Sequence, residues 1–262
     1  MNNPLGLVLP DLKLISGPDV HVYRMDGEIV PSVSEVIDVG AKPWLAPWKL
    51  REMRKRLMKT WKPGQPYARE EIDQQLEEAA AAADEKSKGA LVIGKAAHTW
   101  IEAYVRIRPM LGSLQFPMDE LDPEARSSVE AFLGWEAAHH VRWLASEQIL
   151  GSRKYQYAGT TDFVAFVDDL LTLGDFKTSD RFSMEYALQL SGYQLAIEEC
   201  DPGRQYPIRQ RLIVRLPKDD APFQAWTVQT DPEEDAREFL RRRESLRWRE
   251  EHVRKRAGWL LW

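Results

Sequence analysis

Asp162, Asp175 and Lys177 are the residues of this sequence best suited to do chemistry. In Leu171-Thr172-Leu173-Gly174-Asp175-Phe176-Lys177, β-strand alternation puts Leu171, Leu173, Asp175 and Lys177 on one face, so an apolar strand face runs directly into two charges. By the same rule Asp162 shares a face with Val164 and Phe166 on the strand before. Two acids and a lysine are thereby led towards the interior. Buried carboxylates are costly without a compensating cation or hydrogen-bond network, and two of them near one another also repel. A divalent metal ion answers both costs. Aspartate oxygens are hard ligands suited to Mg²⁺ or Mn²⁺, which keep sites open for water and phosphate oxygens. The lysine then orients or deprotonates an attacking water, or offsets charge developing on a phosphate. That is the chemistry of phosphodiester hydrolysis. An Asp-x-Lys tripeptide alone is also a common strand-edge ion pair. What sets this one apart is its company: Gly159-Thr160-Thr161-Asp162 a hairpin upstream, apolar flanks on both strands, and Gln189 and Tyr193 one turn apart on the helix that follows.

The elements that must position these residues are legible from periodicity. Three strands are expected at Arg142–Leu150, Tyr157–Val167 and Leu170–Thr178, forming an antiparallel meander with Asp168-Asp169 as a tight turn. A helix at about 184–199, strands near 210–216 and 225–229, and a long charged helix at about 231–256 complete an α/β core. The N-terminal part reads as a hairpin over His21–Val30 around Asp26-Gly27 and then as helices. Ser32-Val33-Ser34-Glu35 has capping-box spacing, so a helix starts near Val33. Trp44, Pro47 and Trp48 interrupt it before a basic helix from about Lys49 to Trp61; 66–88 is helix-prone, and separate helices are expected at 94–106 and 123–138. The division implied is an N-terminal hairpin and helical region over residues 1–90 and a core over 91–262.

Composition narrows the function classes. The chain has 262 residues, 44% apolar and 29% charged, enough for a substantial core. No stretch approaches the roughly 20 apolar residues of a membrane span, and the apolar start at Leu5–Leu9 lacks a basic leader and cleavage site, so a cytoplasmic protein is expected. The single cysteine, Cys200, suits a reducing compartment and rules out a cysteine-built zinc site. A net charge of -5 argues against coating nucleic acid by bulk charge. Yet Lys49 to Lys62 holds seven basic residues against one acid, Glu52, and is either a solvated helix face or a phosphate-binding surface; Lys49, Arg51, Arg54 and Lys55 are the candidates. Trp44, Trp48 and Trp61, in or beside this segment, are candidates for base stacking. The arginines of 237–256 alternate with glutamates and suit surface ion pairs.

Three segments together, Ala158-Gly159-Thr160-Thr161-Asp162, Gly174-Asp175-Phe176-Lys177-Thr178-Ser179 and Gln189-Leu190-Ser191-Gly192-Tyr193, resemble the RecB-type branch of the PD-(D/E)XK nucleases. Gly94-Lys95-Ala96-Ala97-His98-Thr99-Trp100-Ile101-Glu102 matches the earlier helix on which that family places a metal-binding histidine followed by an acid one turn on. Pro31-Ser32-Val33-Ser34-Glu35 is similar to a segment of phage exonucleases and of nucleases related to the mitochondrial genome maintenance exonuclease, which often carry two threonines at the positions of Ser34 and Glu35. The resemblance implies a restriction-endonuclease-like core, a mixed central sheet flanked by helices, with a helical N-terminal part that could form a DNA channel. It implies one or two Mg²⁺ or Mn²⁺ ions held by His98, Asp162, Asp175 and the backbone carbonyl of Phe176, with Lys177 positioning the nucleophile. Gln189 would act at the lysine; Glu102, Glu147 and Tyr193 would support the site, although Glu147 also suits an exposed strand position and Tyr193 suits packing with Tyr186, Leu190 and Leu195. Thr178 and Ser179 would donate to phosphate. The activity implied is an exonuclease on DNA ends, in phage or bacterial recombination or repair, with a recombination protein as a possible partner. A structure-selective or site-specific endonuclease and a non-cutting nucleic-acid-binding subunit are the alternatives.

Overall fold

Asp26 and Gly27 take positive φ, 50° and 92°, the geometry of a tight hairpin turn. They join β2 (His21–Met25) to β3 (Glu28–Val30), and β1 (Leu12–Ser16) pairs with β2 to complete a small antiparallel sheet. The computed structural model describes residues 5–17, 20–40, 42, 45–111, 116–179, 182–203 and 205–259. Ser32 caps α1 (Val33–Ile37): its hydroxyl accepts from the Glu35 amide at 3.0 Å, and the Glu35 carboxylate accepts from the Ser32 amide at 2.7 Å. The expected capping box is therefore present.

Two helices differ from their expected limits. α2 (Leu45–Thr60) starts ahead of Pro47, because the first turn of a helix has no internal acceptor for the amide that proline lacks. Trp44 lies outside the described residues. α3 (Arg69–Leu111) is one continuous helix of 43 residues where two were expected. Gly89 and Gly94 cost helix stability but do not prevent it, and the alanine-rich run before them favours it. The chain divides into two compact units, Met1–Gly40 with Ala97–Trp262, and Ala41–Ala96.

In the larger unit, α4 (Pro123–Ala138) precedes a five-stranded mixed sheet. β4 (Val141–Ser152), β5 (Tyr157–Val167) and β6 (Leu170–Lys177) form the antiparallel meander, with Asp168 and Asp169 at φ 49° and 67° in the turn. α5 (Met184–Cys200) carries the chain across to β7 (Gln210–Arg215), which pairs parallel to β6; β8 (Gln224–Thr227) closes the edge antiparallel to β7, and α6 (Pro232–Trp259) follows. Alternate residues face two cores. Val164, Leu171, Leu173 and Ile213 pack with Leu188, Leu190, Ile197 and Phe239 from α5 and α6. Phe163, Ala165, Phe176, Leu212 and Val214 pack with Trp100, Ile101, Phe132 and Trp135 from α3 and α4. This is a sheet flanked by helices on both faces, the α/β core expected. No described helix is long and apolar enough to cross a membrane.

Candidate active site

On β6 the face that carries Leu171 and Leu173 into the core continues to Asp175, 1% exposed, and Lys177, while Phe176 faces the opposite core. Lys177 Nζ lies 2.6 Å from Asp175 Oδ2 and donates to Gln189 Oε1 at 3.1 Å; Gln189 Nε2 in turn donates to the Tyr193 hydroxyl at 3.1 Å. Asp162, on β5, accepts a 2.6 Å hydrogen bond from the Phe176 amide. The two strands thus bring both acids and the lysine to one place, and α5 closes over the lysine.

His98 enters from α3, with Nδ1 at 3.5 Å from Asp162 Oδ2 and 3.9 Å from Glu147 Oε1. His98, Glu147 and Asp162 each offer a ligand atom, and these lie within 4.8 Å of one another. Glu147 reaches this group through register. Ser146 pairs with Phe163 and Gln148 with Thr161, which sets Glu147 opposite Asp162. Like charges facing across strands destabilise a sheet. Glu147 also has φ 48°, a left-handed conformation unfavourable for a residue with a Cβ. A cation bound between the acids would offset both costs. Of the residues expected to hold metal, Asp175 is outside this three-residue group, but its Oδ1 is buried with no hydrogen-bond partner among the described residues. A buried carboxylate oxygen with nothing to accept from fits a cation site.

Charge in the pocket is balanced by protons. Burial and then the Asp162 charge push Asp175 up to about 7, against the pull of Lys177. Burial likewise raises Glu147, helped by Asp162. Burial opposes a charged His98, yet Asp162, Glu147 and Asp175 outweigh it and push the imidazole up to about 10. Asp162 is lowered in spite of burial by His98, Lys177 and the Phe176 amide, and Lys177 is raised in spite of burial by Asp175 and Asp162. His98 and, in part, Asp175 therefore hold protons that a divalent cation would displace.

Other candidates lie elsewhere or are otherwise engaged. Glu102 pairs with Arg106, one turn on, rather than joining the His98 group. Thr178 is half-buried, and the Ser179 hydroxyl is hydrogen-bonded to that of Tyr186 at 2.7 Å. In the smaller unit, Lys49 is paired with Asp84 at 2.8 Å and Lys55 with Glu52 at 2.8 Å. Arg51 and Arg54 line a cavity of about 630 Å³ with Lys55, Lys59 and Lys86, and Trp48 is half-buried. Tyr186 was expected only to pack; its ring instead sits beside the lysine ammonium, 4.9 Å from centroid to Nζ. Its place three residues before Gln189, on the same side of α5, was the available signal.

The sequence pattern of the PD-(D/E)XK nuclease superfamily matches residues 63–260. Among solved structures, the alkaline exonuclease LHK-Exo from Laribacter hongkongensis aligns over 87% of this chain and 93% of its own, with 14% identity and a TM-score of 0.32. No curated protein matches the sequence.

Proposed function

The chain belongs to the PD-(D/E)XK nuclease superfamily, whose members use divalent metal ions, and from that premise we propose a deoxyribonuclease that degrades DNA from its ends. The observation that carries the reading is the convergence of Asp162, Asp175 and Lys177 on neighbouring strands beside His98 and Glu147, inside the matched segment. Mg²⁺ or Mn²⁺, as one or two ions, would be held by His98, Asp162 and Asp175 with the Phe176 carbonyl, and Glu147 is close enough to join them. The ion supplies Lewis-acid stabilisation of the charge that builds on the phosphate oxygens. Lys177, steadied by Asp175 and Gln189, directs its ammonium at the scissile phosphate, where it orients the incoming water and offsets developing negative charge. Water oxygen bonds to phosphorus, the bridging oxygen leaves with a proton, and the chain is shortened.

The ion-binding reading predicts a thermal response. At about 100 times its Kd, a ligand specific for the folded state stabilises by about 2.7 kcal/mol, which in a chain of this size is a Tm rise of roughly 5 to 10 °C. Mn²⁺ or Mg²⁺ is expected to produce that rise, a chelator to reverse it, and Asp162→Asn to abolish it. Absence of any shift with either ion would count against the site.

α2 is the proposed DNA-contact surface, through Arg51 and Arg54 with Lys49, Lys55 and Trp48 beside them, and Thr178 and Ser179 are proposed to meet the backbone near the cut. One assay tests function and surface together: end-labelled single-stranded and duplex DNA and covalently closed circles, digested with Mn²⁺ across a range of salt. Degradation confined to molecules with ends is expected. Cutting of closed circles would make the enzyme an endonuclease, and no cutting at all would make it a binding subunit. Replacing Arg51 and Arg54 by alanine is expected to flatten the salt dependence of binding by about two phosphate contacts; an unchanged slope would remove α2 from the interface.

A further inference from the structure

We infer that Tyr186 is a positioning residue for Lys177, holding the ammonium by the face of its ring; this rests on the proposed nuclease reading. Tyr186, Gln189 and Tyr193 occupy positions i, i+3 and i+7 of α5 and so share one helix face. Two of the restraints on Lys177 Nζ are polar, Asp175 Oδ2 at 2.6 Å and Gln189 Oε1 at 3.1 Å. The third is the Tyr186 ring, with its centroid 4.9 Å from Nζ. A cation over an aromatic face is attracted by the negative face of the ring, and more strongly where water is kept away.

The ring is itself held at both ends. Its hydroxyl is hydrogen-bonded to Ser179 Oγ at 2.7 Å, just past the end of β6, and Phe182 meets it edge-on at 6.0 Å between centroids. Phe182 is in turn met edge-on by Trp226 of β8 at 5.7 Å. Lys177 has a long flexible stem and a side chain still 21% exposed, so without the ring the ammonium has conformers open to it that reach solvent instead of substrate. A purely packing role would need an apolar side chain of the right volume and nothing more.

Single-turnover cleavage of end-labelled linear DNA at saturating Mn²⁺, with KM and Tm measured alongside, separates the two roles. Tyr186→Leu is expected to lower kcat about tenfold with KM nearly unchanged, since the ring acts on the group that serves the transition state. Tyr186→Phe, which keeps the ring and loses the tether to Ser179, is expected to recover most of kcat. Tyr186→Met repeats the loss-of-ring test if the leucine chain lacks a folded transition. An unchanged kcat in the ring-less variants, a loss expressed in KM alone, or a phenylalanine variant as slow as leucine would each overturn the inference. Lys177→Ala separates its failure from that of the functional reading. If that variant cuts at the wild-type rate the nuclease mechanism falls, whereas a dead Lys177→Ala beside a fully active Tyr186→Leu removes only the role of the ring.

Discussion

Lys177→Ala is expected to reduce metal-dependent DNA cleavage by about a thousandfold, the scale of losing one well-placed group that stabilises developing charge or moves a proton. The size of the effect follows from how completely the ammonium is prepared. It is held by Asp175, Gln189 and the Tyr186 ring before substrate arrives, so reorienting it costs little during the reaction. Alanine removes the cation and leaves Asp175 facing Asp162 with one positive charge fewer, and Asp175, already raised by burial and by Asp162, holds its proton more firmly. The fold should survive, because a buried acid that takes up a proton no longer carries an uncompensated charge. The measurement is the single-turnover rate on end-labelled DNA at saturating Mn²⁺, with circular dichroism to show that the chain is folded. A rate within a few-fold of wild type would sink the proposed mechanism.

Gly174→Ala is expected to destabilise the protein by about 3 kcal/mol or more, at the upper end of what overpacking a core does. Register places Gly174 directly opposite Phe163 on β5, and the Phe163 ring lies over the glycine so closely that an added Cβ would fall inside it. The ring has nowhere to go. It is fully buried, with Phe176 at 4.8 Å, Trp143 at 5.6 Å and Trp135 at 5.7 Å between centroids. Displacing it would also move Phe176, whose amide holds Asp162, so residual folded protein should cut slowly too. Urea unfolding of the variant against wild type measures the first effect and cleavage per folded molecule the second. Equal unfolding midpoints would show that the aromatic cluster yields more readily than its packing implies.

Much of this molecule is written in local pattern. Alternation along β5 and β6 assigns Asp162, Asp175 and Lys177 to faces because successive side chains of a strand point opposite ways, whatever the strand pairs with. Asp26-Gly27 and Asp168-Asp169 announce their turns because those residue types tolerate positive φ, and Ser32 with Glu35 announces a helix start because both side chains reach amides within four residues. Gln189 and Tyr193 share a helix face by spacing alone. All of these depend on chemistry a few residues long.

What the tertiary structure decided depends on residues far apart in the chain. Glu147 faces Asp162 because of the pairing register of β4, which shifts between Trp143 and Ala145, and no property of Glu147 itself records that shift. The parallel pairing of β7 with β6 is set by how α5 crosses the sheet. Glu102 stands at the right helical interval from His98, yet it pairs with Arg106 and does not join the acidic group. Tyr186 reads as an apolar packing residue until α5 is laid against the end of β6 and brings its ring to the lysine. Sequence by itself determined the kinds of side chain and the faces they occupy, because backbone periodicity is local. Distances between those faces, and so which charges meet, came only from the packing of strands and helices whose contacts span the chain.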